Sequence, residues 1–131
     1  MSYLPLDRDS IHALVHQFYA DVRADPVLGP VFDNAIQDRW DTHLARMVEF
    51  WSTVMLGEHN FQGNVFGKHM ALSGIEPDHF RRWLGLFFAT TERLFEPAVA
   101  QEFQVVGKRI AHSLQYGYFG KVVVAEPGQA G

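Results

Sequence analysis

Apolar side chains recur at every third or fourth position through most of this chain, and that period predicts α-helices. The first predicted helix is capped by Asp9 or Ser10, and its inner face is Ile11, Leu14, Val15, Phe18 and Val22. The second runs from about Trp40 to Leu56, and its inner face is Trp40, His43, Leu44, Met47, Phe50, Trp51 and Val54. Apart from the C-terminal tail, no segment alternates with the period of two typical of strands, so the predicted class is all-α.

Two further helices are predicted after a break in the pattern. The segment 57–63 is typical of a loop, and 64–72 has room for only a short helix. Asp78 is the predicted cap of the third long helix, whose inner face is Phe80, Trp83, Leu84, Phe87 and Leu94. Pro97 fits the first turn of the fourth, whose inner face is Val99, Phe103, Val106, Ile110, Leu114 and Gly117. We expect one domain over 1–120 and a disordered tail over 121–131.

Composition excludes several classes of protein. The chain has no cysteine, which removes disulfides and thiolate metal sites. Its net charge is 11 − 15 = −4 without a basic stripe, so nucleic acid is not an expected partner. No apolar run approaches the roughly 20 residues of a membrane span, and the first ten residues lack the apolar core of a signal peptide. We therefore expect a cytoplasmic protein without a membrane partner.

The predicted helical faces are unusually aromatic, with 11 Phe among 131 residues. Packed helical bundles favour Leu, Ile and Val, so these faces indicate either a Phe-rich core or a core that surrounds a flat aromatic group. Tyr19 and His43 add polar atoms to two inner faces, and His69 stands alone among apolar neighbours. A lone histidine of this kind is most often a core residue with one hydrogen bond. The three residues together also fit a haem with one imidazole ligand and a polar pocket on its other side.

The ordered pieces FY, GPVF, H, EFW, KH and W, spread over roughly residues 10–118, resemble the truncated haemoglobins. The resemblance is strongest to group III, because the chain lacks the Gly-Gly pairs of groups I and II and carries His43. It implies a shortened globin, a two-over-two helical sandwich around haem b.

The same resemblance implies roles for individual residues. His69 would be the proximal iron ligand, and Tyr19, His43 and Trp83 would face the bound ligand. Residues expected to contact the haem are Phe32, His43, Arg46, Met47, Trp51, Lys68, His69 and Trp83. Alternatives stay open: Tyr19 and Trp83 also suit a packed core, and Arg46 and Lys68 also suit a solvated surface. His43 is compatible with a ligand donor, a gate or a sixth iron ligand.

The implied function is binding of O2, NO or CO at the haem iron. A pocket with several donors also suits a redox enzyme, such as a nitric oxide dioxygenase or a peroxidase, which would need a separate reductase. Whether the chain is an enzyme stays open, and a haem-free helical bundle is a third alternative. We expect a monomer or a weak dimer. The other histidines, His12, His16, His59, His79 and His112, are interpreted as surface or helix-face residues.

Overall fold

The computed structural model describes residues 3–58 and 74–127. These residues form helices and connections and contain no strand, which confirms the predicted all-α class. The helices are α1 (Arg8–Ala24), α2 (Leu28–Ile36), α3 (Trp40–Leu56), α4 (Pro77–Leu94) and α5 (Pro97–Phe119). Lys68, His69 and the short helix predicted within 64–72 lie outside the described residues.

Two helices begin earlier than the sequence predicted. The N-cap of α1 is Asp7, whose carboxylate accepts from the Ser10 backbone N–H at 2.8 Å. The Asp7 N–H donates in return to the Ser10 hydroxyl at 3.0 Å, so Ser10 is the third helical residue and not the cap. α4 begins at Pro77, and Asp78 lies in its first turn, where it pairs with Arg82 at 2.9 Å.

The helices pack as two pairs. α1 packs against α3, and α4 packs against α5. α1 also packs against α2 and α4, which joins the pairs into the two-over-two sandwich. Phe87 of α4 lies where three helices meet, with ring centroids 5.3 Å from Phe18 and 5.2 Å from Trp51. Gly107 lets the Phe87 ring lie close to α5, because a Cβ at residue 107 would be only 2.9 Å from that ring.

The buried face of α3 differs in part from the predicted one. Trp40, Met47 and Trp51 are buried as expected, but the face also includes Val48 and Ser52. The face is therefore turned towards Val48 and Ser52 relative to the prediction. Val54 lies at its margin and is 41% exposed, so its predicted inward position is wrong. Gly117, predicted on the inner face of α5, is likewise exposed.

The segment that follows α5 is held by one buried side chain. The Gln115 amide is fully buried; its Oε1 accepts from the N–H groups of Val123 and Val124 at 2.9 and 2.8 Å. Its Nε2 donates to the Val124 carbonyl at 2.8 Å. Lys108 pairs with Glu126 at 2.9 Å. These contacts hold the described part of a tail, 121–131, for which the sequence predicted disorder; residues 128–131 lie outside the described ranges.

None of the helices in the described part of the chain is long and apolar enough to cross a bilayer.

Candidate functional site

Four aromatic rings meet where α1, α2 and α3 converge. Tyr19 is 5% exposed, and its ring centroid lies 4.9 Å from that of His43, 5.9 Å from Trp40 and 6.3 Å from Phe32. The His43 and Trp40 rings are themselves 5.7 Å apart. We call Tyr19, Phe32, Trp40 and His43 the Tyr19 cluster. Its rings are set edge to face, which is the favourable arrangement for aromatic quadrupoles.

The helical period explains why these side chains converge. Tyr19 belongs to the buried stripe of α1, together with Val15, Phe18 and Val22, and its ring contacts His43 of α3. Trp40 and His43 occupy the first turn of α3, three residues apart and therefore on neighbouring positions of one face. The sequence predicted that Tyr19 and His43 point inward from different helices. In the structure their rings are in direct contact.

The Tyr19 hydroxyl is a neutral group over a wide pH range. Burial disfavours the phenolate and raises the pKa of Tyr19 well above its ordinary value. The hydroxyl therefore keeps its proton at physiological pH and can donate a hydrogen bond. A protonated donor beside an imidazole is suited to orienting a small polar ligand.

Trp83 of α4 lies between the aromatic core and a cavity. One face of its indole stacks on Phe87, with centroids 5.5 Å apart and planes 9° from parallel. Phe18 meets it edge-on at 5.5 Å. The Trp83 side chain also lines that cavity, so its indole packs in the core and forms part of the cavity wall.

An apolar cavity lies between α2, α4 and α5. It contains about 490 Å³ of space between atoms, part of it open to solvent. Its lining residues are Leu28, Val31, Phe32, Ile75, His79, Phe80, Trp83, Ile110, Ala111, Leu114 and Tyr118. Its predominantly apolar wall is the kind of lining that binds hydrophobic ligands. Phe32 and Trp83, both predicted site residues, lie in this wall.

His79 is a lining residue that the sequence interpretation placed on the surface. Its Nδ1 accepts from the Glu76 N–H at 3.1 Å, so the proton of the neutral ring is on Nε2. No sequence signal separates His79 from an ordinary first-turn histidine. Phe80, Ile110 and Leu114 were predicted to be inward-facing, but periodicity alone cannot tell a packed side chain from one that lines a cavity.

The remaining predicted residues take different positions. Met47 is buried on α3, and Arg46 is half-buried beside it. Trp51 stacks on Phe87 with planes 22° apart and meets Phe103 at 5.5 Å, which places its ring among α3, α4 and α5. Lys68 and His69 belong to the segment 59–73, outside the described residues, so the iron ligand stays a prediction. Within 3–58 and 74–127, no three His, Cys, Asp or Glu side chains come together as metal ligands.

Comparison with known proteins gives the family. No protein-family model matches the chain. A group 3 truncated haemoglobin of Campylobacter jejuni is 37% identical over 90 residues, which span 66% of this chain and 71% of the relative. The chain belongs to the group III truncated haemoglobins. The crystal structure of a group III truncated haemoglobin from the same organism matches with a TM-score of 0.75 and 30% identity, over 87% of this chain and 95% of that one.

Membership in the group III truncated haemoglobins confirms the predicted family and fold. It also makes the chain a globin-type haem protein that binds small ligands. The described residues fit such a group: an apolar cavity with aromatic walls suits a flat hydrophobic cofactor, and Tyr19 contacts Phe32 of the cavity wall.

Proposed function

We propose that this truncated haemoglobin holds haem b in the cavity between α2, α4 and α5, with His69 as the protein ligand of the iron. Phe32 and Trp83, which line the cavity, would flank the cofactor, whereas Met47 and Trp51 of α3 are not among its lining residues. Arg46 and Lys68 would pair with the propionates. The proposal is supported by the cavity, whose wall is almost entirely hydrocarbon and whose edge carries Phe32 of the Tyr19 cluster.

We further propose that O2, NO or CO binds beside Tyr19, His43 and Trp83. Iron held by a single imidazole supplies an open position for such diatomic ligands. The observation that carries this proposal is that Tyr19 is buried and its ring contacts the His43 ring; the same burial raises the pKa of Tyr19, which favours the neutral hydroxyl as a donor. The indole N–H of Trp83 would be a second donor.

The donors set how long a polar ligand stays. A hydrogen bond to a charged acceptor is worth about 1.5–3 kcal/mol, so Tyr19 and Trp83 together would slow escape by a factor on the order of 10² or more. Such retention suits a store or sensor more than a carrier. It equally suits a redox enzyme acting on the held ligand, a nitric oxide dioxygenase or a peroxidase, with a separate reductase as its electron donor. We expect this protein to work in the cytoplasm as a monomer or weak dimer.

The test is an absorption spectrum of the purified protein in its ferric, ferrous and carbonmonoxy forms. We expect a Soret band that shifts on reduction and again on addition of CO. A colourless protein that takes up no added haemin would contradict the proposal. Consumption of NO in the presence of O2 and a chemical reductant, absent without the protein, would favour the enzyme over the store.

A further inference from the structure

A polar contact fixes Trp40 at the start of α3. Trp40 is 7% exposed, and its indole Nε1 donates to the Asp33 Oδ1 at 2.9 Å. The same oxygen accepts from Arg23 Nε at 3.1 Å, and the Arg23 guanidinium lies 4.5 Å from the Trp40 ring centroid. We call Arg23, Asp33 and Trp40 the Asp33 clamp. It joins the ends of α1, α2 and α3 through one carboxylate oxygen.

The Asp33 clamp continues directly into the Tyr19 cluster. Trp40 meets the His43 ring at 5.7 Å with planes 88° apart, and it meets Tyr19 at 5.9 Å. One edge of the indole therefore faces the carboxylate near the surface, and the ring as a whole is packed against the two polar side chains of the cluster. A change in the orientation of Trp40 would remove a neighbour of His43 and of Tyr19 together.

The hydrogen bond matters more than the ion pair in this arrangement. Asp33 and Arg23 side chains are 47% and 49% exposed, and ion pairs at such exposure contribute little because solvent screens them. The indole N–H, by contrast, belongs to a buried residue and needs an acceptor. Without Asp33, the ring has to leave its N–H without an acceptor or turn towards water.

We propose that Asp33 and Trp40 are positioning residues that set the location of the His43 ring, and so the rate at which small ligands reach the iron. This inference rests on the proposed function, because Asp33 and Trp40 would position a side chain that faces the ligand in the same site. Asp33 acts through Trp40, and Trp40 acts through its edge contact with His43. Neither residue has to touch the ligand.

The experiment measures CO association by flash photolysis in the haem-loaded protein. Asp33→Ala removes the acceptor, and Trp40→Phe keeps an aromatic ring but removes the N–H. Each should speed CO association by about three- to tenfold, because His43 loses its fixed neighbour. Asp33→Asn keeps an acceptor oxygen and should restore the parent rate. Asp38→Ala is the matched control, since it removes an exposed carboxylate from the same corner without touching the clamp.

The same substitution made in His43→Ala protein separates the positioning of His43 from a general loss of rigidity in the fold. In His43→Ala protein, the addition of Asp33→Ala should change the rate by less than about twofold, because the residue it acts through is gone. A change that persists in this background would overturn the proposal. So would parent-like rates in both Asp33→Ala and Trp40→Phe. A parent protein without a Soret band would overturn the proposed function and the clamp together, whereas a normal parent with unaffected variants would overturn the clamp alone.

Discussion

The Tyr19 cluster and the cavity between α2, α4 and α5 are neighbours built in opposite ways. In the cluster, the rings that carry polar atoms meet edge to face: the planes are 87° apart for Tyr19 and His43, 88° for Trp40 and His43, and 63° for Tyr19 and Trp40. The cavity wall is almost entirely hydrocarbon. Phe32 takes part in both regions, and Trp83 lines the cavity while its core contact, Phe18, touches Tyr19.

This difference indicates that the cavity and the Tyr19 cluster have separate functions, cofactor binding and ligand orientation. An apolar cavity can hold a flat hydrophobic group through contact area alone, but it cannot orient a two-atom ligand. A protonated hydroxyl and an imidazole can orient a ligand, but they contribute little apolar area. We therefore expect substitutions in the cavity wall to change haem affinity, and substitutions of Tyr19 or His43 to change ligand rates at constant haem content.

The largest effect is expected at His69. If it is the protein ligand of the iron, His69→Ala should lose most of the haem, or bind it only when imidazole is added to the buffer. His12→Ala is a suitable control because His12 is exposed on α1, whereas His79 lines the cavity and is less suitable. Full haem retention with an unchanged Soret spectrum in His69→Ala would contradict the assignment.

The next largest effect concerns the donors. Tyr19→Phe removes the hydroxyl and keeps the ring, so O2 dissociation should become faster by about tenfold or more while CO association changes less. Trp83→Phe should act in the same direction. Haem content should stay at the parent level in Tyr19→Phe, whereas Trp83 lines the cavity, so Trp83→Phe should also lower haem affinity. Stopped-flow O2 dissociation within about a factor of two of the parent in both variants would refute the donor role.

The Tyr19 donor also predicts a pH response. Burial raises the pKa of Tyr19, which means that the neutral donor persists to higher pH than an exposed tyrosine would allow. Above the pH range of the proposed His43 gate, from about pH 8 to about pH 10, the ordinary pKa of tyrosine, the O2 dissociation rate of the parent should therefore stay constant. An increase in that rate beginning well below this pH would show that Tyr19 ionises or is not the donor.

A smaller effect is expected from filling the cavity. Ala111 is 1% exposed and lines the cavity on α5, so Ala111→Phe places a ring in its space. Haemin affinity should fall by about tenfold, and far-UV circular dichroism of the haem-free protein should stay unchanged. O2 dissociation from the fraction that still binds haem should match the parent. Unchanged haemin affinity would mean that the cofactor lies elsewhere.

The smallest and most specific effect concerns His43. An imidazole with an ordinary pKa near ~6.5 is neutral above that value and charged below it, and the charged ring favours water over an apolar site. We expect His43 to act as a gate, so that ligand association speeds up as pH falls through about 7 to 5. His43→Ala should make association fast and nearly independent of pH.

The competing role for His43 is a sixth iron ligand. It predicts a low-spin ferrous spectrum in the unliganded parent, which His43→Ala converts to high-spin. Observation of that conversion would decide against the gate. A five-coordinate parent with a pH-independent association rate would decide against both roles.

The sequence by itself determined the family and four of the five helices in the described residues; α2, Leu28–Ile36, was not predicted. The apolar period placed α3 at Trp40–Leu56 and the start of α5 at Pro97, as the structure has them, because helical period and Pro at the first turn are local properties. The ordered residues from Tyr19 to Trp83 were sufficient to indicate a group III truncated haemoglobin, which the relatives confirm. Cap positions were wrong by two or three residues, since Ser10 and Asp78 suit a first turn as well as a cap.

Only the tertiary structure decided which inward-facing residues pack against another side chain and which line the cavity. Trp51 and Trp83 have the same sequence signal, yet Trp51 lies between Phe87 and Phe103 while Trp83 lines the cavity. His79 lies in the cavity wall, and Asp33 accepts a hydrogen bond from Trp40 at the corner between α2 and α3. These outcomes depend on how the helices cross, and a period read along one helix contains no information about the position of the next.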